Sequence, residues 1–97
     1  MYARIRRYKM ASGSVDELVR QIKKNFMPVI SKMPGFVAYY VLDEGDGVVA
    51  SISVFKSQAR AEKSNKIAAD WVKKDLASLL PTLPEITAGK VIVHKAA

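Results

Sequence analysis

The stretch from Gly35 to Phe55, GFVAYYVLDEGDGVVASISVF, constrains the fold more than any other part of this chain. It consists of two β-branched and aromatic runs on either side of Asp43-Glu44-Gly45-Asp46-Gly47, whose glycines can supply the positive φ of a tight turn, so it predicts a β-hairpin. Placing Leu42 opposite Val48 puts Tyr40 against Ala50, Ala38 against Ile52 and Phe36 against Val54 on one side of the sheet. The other side then carries Val41 with Val49, Tyr39 with Ser51 and Val37 with Ser53. A strand with one wet face alternates apolar with polar residues. These runs are apolar on both faces, so something must cover each side.

The flanking segments supply one cover. Tyr2 to Met10 reads as a strand in which Ala3 and Ile5 alternate with Tyr2, Arg4, Arg6, Tyr8 and Met10. After Gly13, Ser14-Val15-Asp16-Glu17 has the form of a capping box, and Val15, Leu18, Val19, Ile22 and Phe26 follow at helical spacing. Pro28 removes a backbone donor, so the helix either kinks there or restarts with Pro28 in its first turn, and it ends before Pro34-Gly35. Ser57 is a suitable N-cap for a second helix reaching about Leu79, with Ile67, Ala68, Trp71, Val72, Leu76 and Leu79 as its stripe. Pro81-Thr82-Leu83-Pro84 then connects to a last strand over Ile86 to Lys95.

The order β-α-β-β-α-β predicts an α+β, ferredoxin-like fold: a four-stranded antiparallel sheet with both helices on one face. Residues 1–97 make one expected domain, since 49% of so short a chain is hydrophobic and that suffices for a single core. The uncovered sheet face calls for a partner, and a second copy related by a two-fold axis is the simplest.

Inventory narrows the chemistry. Without cysteine there is no disulfide and no thiolate nucleophile or metal ligand, and His94 is the single histidine, so multi-histidine metal clusters within one chain are excluded. No segment approaches the roughly 18 apolar residues of a membrane span, and no leader with a cleavage site is evident, so a soluble, cytoplasmic protein is expected. The net charge of +7 is spread over strands and helices without a compact run and reads as solvated faces. An RNA-recognition domain shares the element order. However, laying its third-strand octamer on Val48 to Phe55 puts Ala50 and Ile52 where stacking aromatics are needed, so nucleic acid is not expected as a partner.

Several segments together resemble the dimeric α+β barrel superfamily and, within it, the antibiotic biosynthesis monooxygenase domain. They are Pro34-Gly35-Phe36, Ser51-Ile52-Ser53-Val54-Phe55 leading into Ala61-Glu62-Lys63-Ser64-Asn65, Ala69-Asp70-Trp71-Val72, and Gly89-Lys90-Val91-Ile92-Val93-His94. The resemblance implies a homodimeric α+β barrel with a pocket between the sheet and helices of each subunit. It also implies a cofactor-independent monooxygenase acting on a small aromatic or apolar compound, or else a non-catalytic small-ligand-binding or structural dimer. Haem-degrading relatives use an asparagine, a tryptophan and a helical histidine. This chain has Asn65 and Trp71, but its only histidine is His94, in the expected last strand. The haem-degrading pattern therefore departs at the histidine, whereas the cofactor-independent quinone-forming oxygenases of the superfamily use polar and aromatic groups to hold a phenolic substrate. By type, His94 (as general base), Asn65 and Trp71 are the candidate catalytic residues, with Tyr8, Tyr40 and Arg6 as candidates for binding substrate, and no cofactor or metal is expected. Arg6 can pair with a carboxylate, Glu62 or an acidic ligand, but its default reading is an arginine that snorkels at the sheet edge.

Overall fold

The computed structural model describes residues 1–10, 15–75 and 83–97. Strand β1 (Tyr2–Lys9) leads to a helical segment made of α1 (Val15–Gln21), a π-helical turn (Ile22–Phe26) and α2 (Met27–Ile30). Strands β2 (Phe36–Gly45) and β3 (Val48–Phe55), helix α3 (Gln58–Asp75) and strand β4 (Glu85–Lys90) follow. All pairings are antiparallel and the sheet order is β2-β3-β1-β4, the ferredoxin-like arrangement expected. Ser14 of the expected capping box, and Leu76 and Leu79 of the second helical stripe, lie outside the described residues.

The hairpin turn is tighter than the five residues allotted to it. Only Asp46 and Gly47 separate the strands, with φ of 53° and 76°, the paired positive values that suit an Asp-Gly hairpin turn. The ladder therefore pairs Leu42 with Ala50, Tyr40 with Ile52 and Ala38 with Val54, two residues from the expected register. Side-chain direction repeats every two residues, so this shift leaves those residues on the faces expected for them. Phe36 is the exception. A bulge between Phe36 and Ala38 pairs Phe36 with Phe55 and turns its ring to the helical side, where the two rings meet edge to face at 5.8 Å.

The first helical segment buries Leu18, Ile22, Phe26 and Ile30, a four-residue repeat. In an unbroken α-helix each such step overshoots one full turn by about 40°, so the stripe would drift off the sheet. The π-helical turn, where the Met27 amide donates to the Ile22 carbonyl, absorbs one extra residue and brings the stripe back. Pro28 then sits in the first turn of α2, where its missing N–H costs least. The Ser57 hydroxyl accepts from the Arg60 amide at 3.3 Å and so caps α3 as expected.

These helices cover one face of the sheet. Tyr8, Met10, Val49 and Phe55 from the strands pack with Leu18, Ile22, Phe26, Ile30, Ala61 and Ala68. The other face carries Ala38, Tyr40 and Leu42 from β2, the alternate positions Val48 to Val54 of β3, and Ile5 from β1. On it Tyr40 is 56% and Leu42 46% exposed. The last strand is shorter than expected: β4 ends at Lys90, the Val91 amide donates to the Met1 carbonyl at 2.9 Å, and residues 91–97 continue outside the sheet. Strand β1 reaches no further than Tyr2 at that end, so among the described residues the tail has no strand of its own subunit to pair with.

Candidate functional site

The alternation along β1 points Arg6 and Tyr8 at the helices, with Arg4 two residues earlier on the same side. Next to it, β3 turns Val49, Ser51 and Ser53 inward, and β2 contributes Tyr39 and Val41. With Ile22 and Phe26 above, and Ser64, Ala68, Trp71 and Val72 from α3, these residues enclose a cavity of about 30 Å³. That volume holds one or two water molecules, not a ring. A shallower cleft of about 220 Å³ opens beside it between the π-helical turn and β2. It is lined by Val19, Lys23 and Met27 and shares Ile22, Tyr39 and Val41 with the cavity.

The cavity walls combine aromatic surface with buried polar groups. Phe26 stacks on Trp71 at 5.0 Å and meets Tyr39 edge-on at 5.5 Å, forming one aromatic wall. Trp71 Nε1 is buried without a hydrogen-bond partner. Burial pushes the Tyr39 hydroxyl up to about 12, the Ser51 hydroxyl acting in the opposite sense, and burial also raises the Tyr8 hydroxyl. Both are neutral phenols at physiological pH. Arg6 is only 7% exposed, and desolvation holds its guanidinium below the usual arginine range.

The candidates named from sequence divide by place. Arg6, Tyr8 and Trp71 line the cavity, and Asn65 adjoins it through its main-chain carbonyl, which accepts from Arg6 Nη2 at 3.5 Å. Tyr40 lies on the opposite face of the sheet, and His94 is exposed in the tail beyond β4. Arg6 does not snorkel at a sheet edge, because β1 is an interior strand and the side chain is buried; nor is the alternative Arg6–Glu62 pair formed, since Glu62 accepts from the Gln58 side chain. Among the described residues the ion pairs are Arg7–Glu44, at 2.7 Å, and Arg20–Glu17. Sequence reasoning overlooked Ser51 and Ser53 as wall residues. Their alternation with Ile52 and Val54 was the available signal, because it sets hydroxyls on the side that the helices cover. Among the described residues no cluster of three or more His, Cys, Asp or Glu could hold a metal ion, and no helix is long and apolar enough to cross a membrane.

Comparison with known proteins places this geometry. A sequence model described as "Antibiotic biosynthesis monooxygenase" matches residues 1–69. No curated protein matches the chain significantly. Among solved structures, NE2512 from Nitrosomonas europaea, a protein of unknown function, superposes with a TM-score of 0.83 at 20% identity, covering 99% of this chain and 93% of that one. A monooxygenase from the gene ActVA-Orf6 of Streptomyces coelicolor, in complex with nanaomycin D, gives 0.77 at 16% identity, covering 99% and 91%. A mutant of MhuD with two manganese protoporphyrin IX bound per active site gives 0.77 at 15% identity, with both chains covered fully at 100%. At these identities the likeness is one of fold.

Proposed function

Because this chain belongs to the antibiotic biosynthesis monooxygenase family, we propose that it oxygenates a small aromatic or apolar compound held between sheet and helices, using dioxygen and no resident cofactor. The observation that carries this reading is the set of polar groups turned in between sheet and helices: Arg6, Tyr8 and Tyr39, with Trp71 Nε1, which has no partner among the described residues. A wall built only for packing gains nothing from burying such groups, each of which costs free energy unless a partner is supplied. The Streptomyces coelicolor monooxygenase of the same fold, solved with the ligand nanaomycin D, supports a small-molecule occupant, and the Phe26–Trp71 wall favours an aromatic one.

The chemistry suited to such a site starts from a phenol. Loss of its proton makes the ring electron-rich enough to reduce dioxygen. One oxygen atom becomes a new ring carbonyl, and the other leaves as water with the hydroxyl hydrogen and the displaced ring hydrogen. The ring is oxidised by four electrons and dioxygen is reduced by four, so no further reductant is needed. The protein's part is to hold the ring against Phe26 and Trp71, to place hydrogen-bond donors at the developing oxyanion and to exclude water.

The working unit in this proposal is a cytoplasmic homodimer joined through the uncovered sheet face. Tyr40, Leu42 and their neighbours present the kind of contiguous apolar patch that monomers rarely leave in water. Ile92 and Val93, 89% and 84% exposed in the tail, support the same assembly. The small cavity favours a second reading, in which the dimer binds a small ligand or acts structurally without turnover.

Oxygen consumption with a panel of phenols separates the two. Turnover that falls at least tenfold in Trp71→Ala supports the oxygenase, and failure of every phenol leaves the binder. Variants Tyr40→Phe and His94→Ala in the same assay report whether a second copy brings either side chain to the ligand, since neither reaches the cavity of its own subunit.

A further inference from the structure

The central strand of the sheet places a positive charge where nothing in the described chain balances it. Arg6 is more than nine-tenths buried, yet its one hydrogen bond among the described residues is a long one, 3.5 Å to the Asn65 carbonyl, leaving most of a five-donor guanidinium unused. No carboxylate lies within ion-pair distance of it among the described residues. The groups that act on it electrostatically are Arg4, a like charge from its own strand, and Tyr8 and Tyr39, which are neutral phenols. Burying an unpaired guanidinium costs several kcal/mol, and proteins ordinarily offset this with a carboxylate. Trp71 Nε1 and Arg4 Nε are further buried donors without a partner among the described residues. The cavity offers these cationic and indole donors only neutral hydroxyls, from Tyr8, Tyr39, Ser51, Ser53 and Ser64, and no anionic acceptor among the described residues.

We infer that the site takes an aromatic carboxylate, with the carboxylate oxygens on the Arg6 guanidinium, whose planar fork matches them, and the ring against the Phe26–Trp71 wall. The cleft between the π-helical turn and β2 is the way in, because it shares Ile22, Tyr39 and Val41 with the cavity and carries Lys23 on its rim. Displacing Tyr39 from between the two spaces joins the cleft's 220 Å³ to the inner cavity and makes room for a ring. This inference rests on the reading that the cavity is the ligand site and not on whether the bound compound is oxidised.

Trp71, the sole tryptophan, reports binding by its fluorescence. The probes are a pair alike in shape and unlike in charge at pH 7.5, the anion 1-naphthoate and the neutral 1-naphthamide. The carboxylate is expected to bind about tenfold or more tightly than the amide, the scale of a charge-assisted hydrogen bond. Arg6→Met, of similar length and suited to an apolar site, is expected to abolish that preference while retaining affinity for the neutral member. Arg6→Lys is expected to keep part of it. Equal affinity for the two probes, no binding of either, or a preference that survives in folded Arg6→Met overturns the inference. An oxygenase that consumes neutral phenols without discrimination leaves the proposed activity standing and removes this inference alone. Selective anion binding without oxygen uptake does the reverse.

Discussion

Arg6 and Tyr39 illustrate how burial changes what a common side chain does. Among 16 basic residues, Arg6 is turned inward by the two-residue period of β1, and the patterning that reads the rest as solvated surface gives no warning of it. Tyr39, with its hydroxyl at about 12, makes a sharper prediction. In the unfolded chain tyrosine ionises near 10, so the folded state holds this proton more tightly and its contribution is fully present below about pH 10. As pH rises from about 10 to about 12, stability is expected to fall by about 2–3 kcal/mol from this group. Tyr8 contributes in the same direction. Urea denaturation across that range should show the loss, and Tyr39→Phe should remove this part of it; an identical slope in the variant would refute the assignment.

At the scale of elements, the hairpin and the first helical segment each depend on a local irregularity. Gly47 holds φ of 76° in a two-residue turn and its carbonyl accepts from the Met10 amide at 2.7 Å. Gly47→Val is expected to cost about 1–2 kcal/mol, measured by chemical denaturation, because a β-branched residue is strained in that region. The π-helical turn leads to the opposite expectation. Lys24 is exposed within it, and removing one residue there converts the buried set to the spacing of an ordinary α-helix, with both flanks still facing the sheet. Deleting Lys24 should therefore lower the melting temperature by only a few degrees. Leu18→Ala, which empties a buried position, should cost about 2–5 kcal/mol. If the deletion proved as damaging as the cavity variant, the turn would not be a single-residue accommodation.

At the scale of the whole molecule, the sheet has one face under its helices and one face bare. Sedimentation at micromolar concentration is expected to show dimers. Tyr40→Lys should shift them toward monomers without loss of helical signal, since Tyr40 is exposed on the bare face and distant from the core. Monomers in the unaltered protein would remove the dimer and with it the barrel.

The element order, the hairpin, an interruption of the first helix at Pro28 and, Phe36 excepted, the residues that share each strand face are legible in the sequence. Each follows from local periodicity or from the restricted backbone of proline and glycine, and a slip of two residues in register does not disturb it. The candidate site is legible only in part: Arg6, Tyr8 and Trp71 are visible by type, whereas Tyr39 and the serines of β3 are not singled out. Only the tertiary structure decided which of two apolar faces the helices cover, that Arg6 is buried without Glu62, and that β4 stops at Lys90 and leaves His94 outside. Periodicity records which side chains point the same way. Which way that is, and what stands opposite, depends on how segments far apart in the chain pack together.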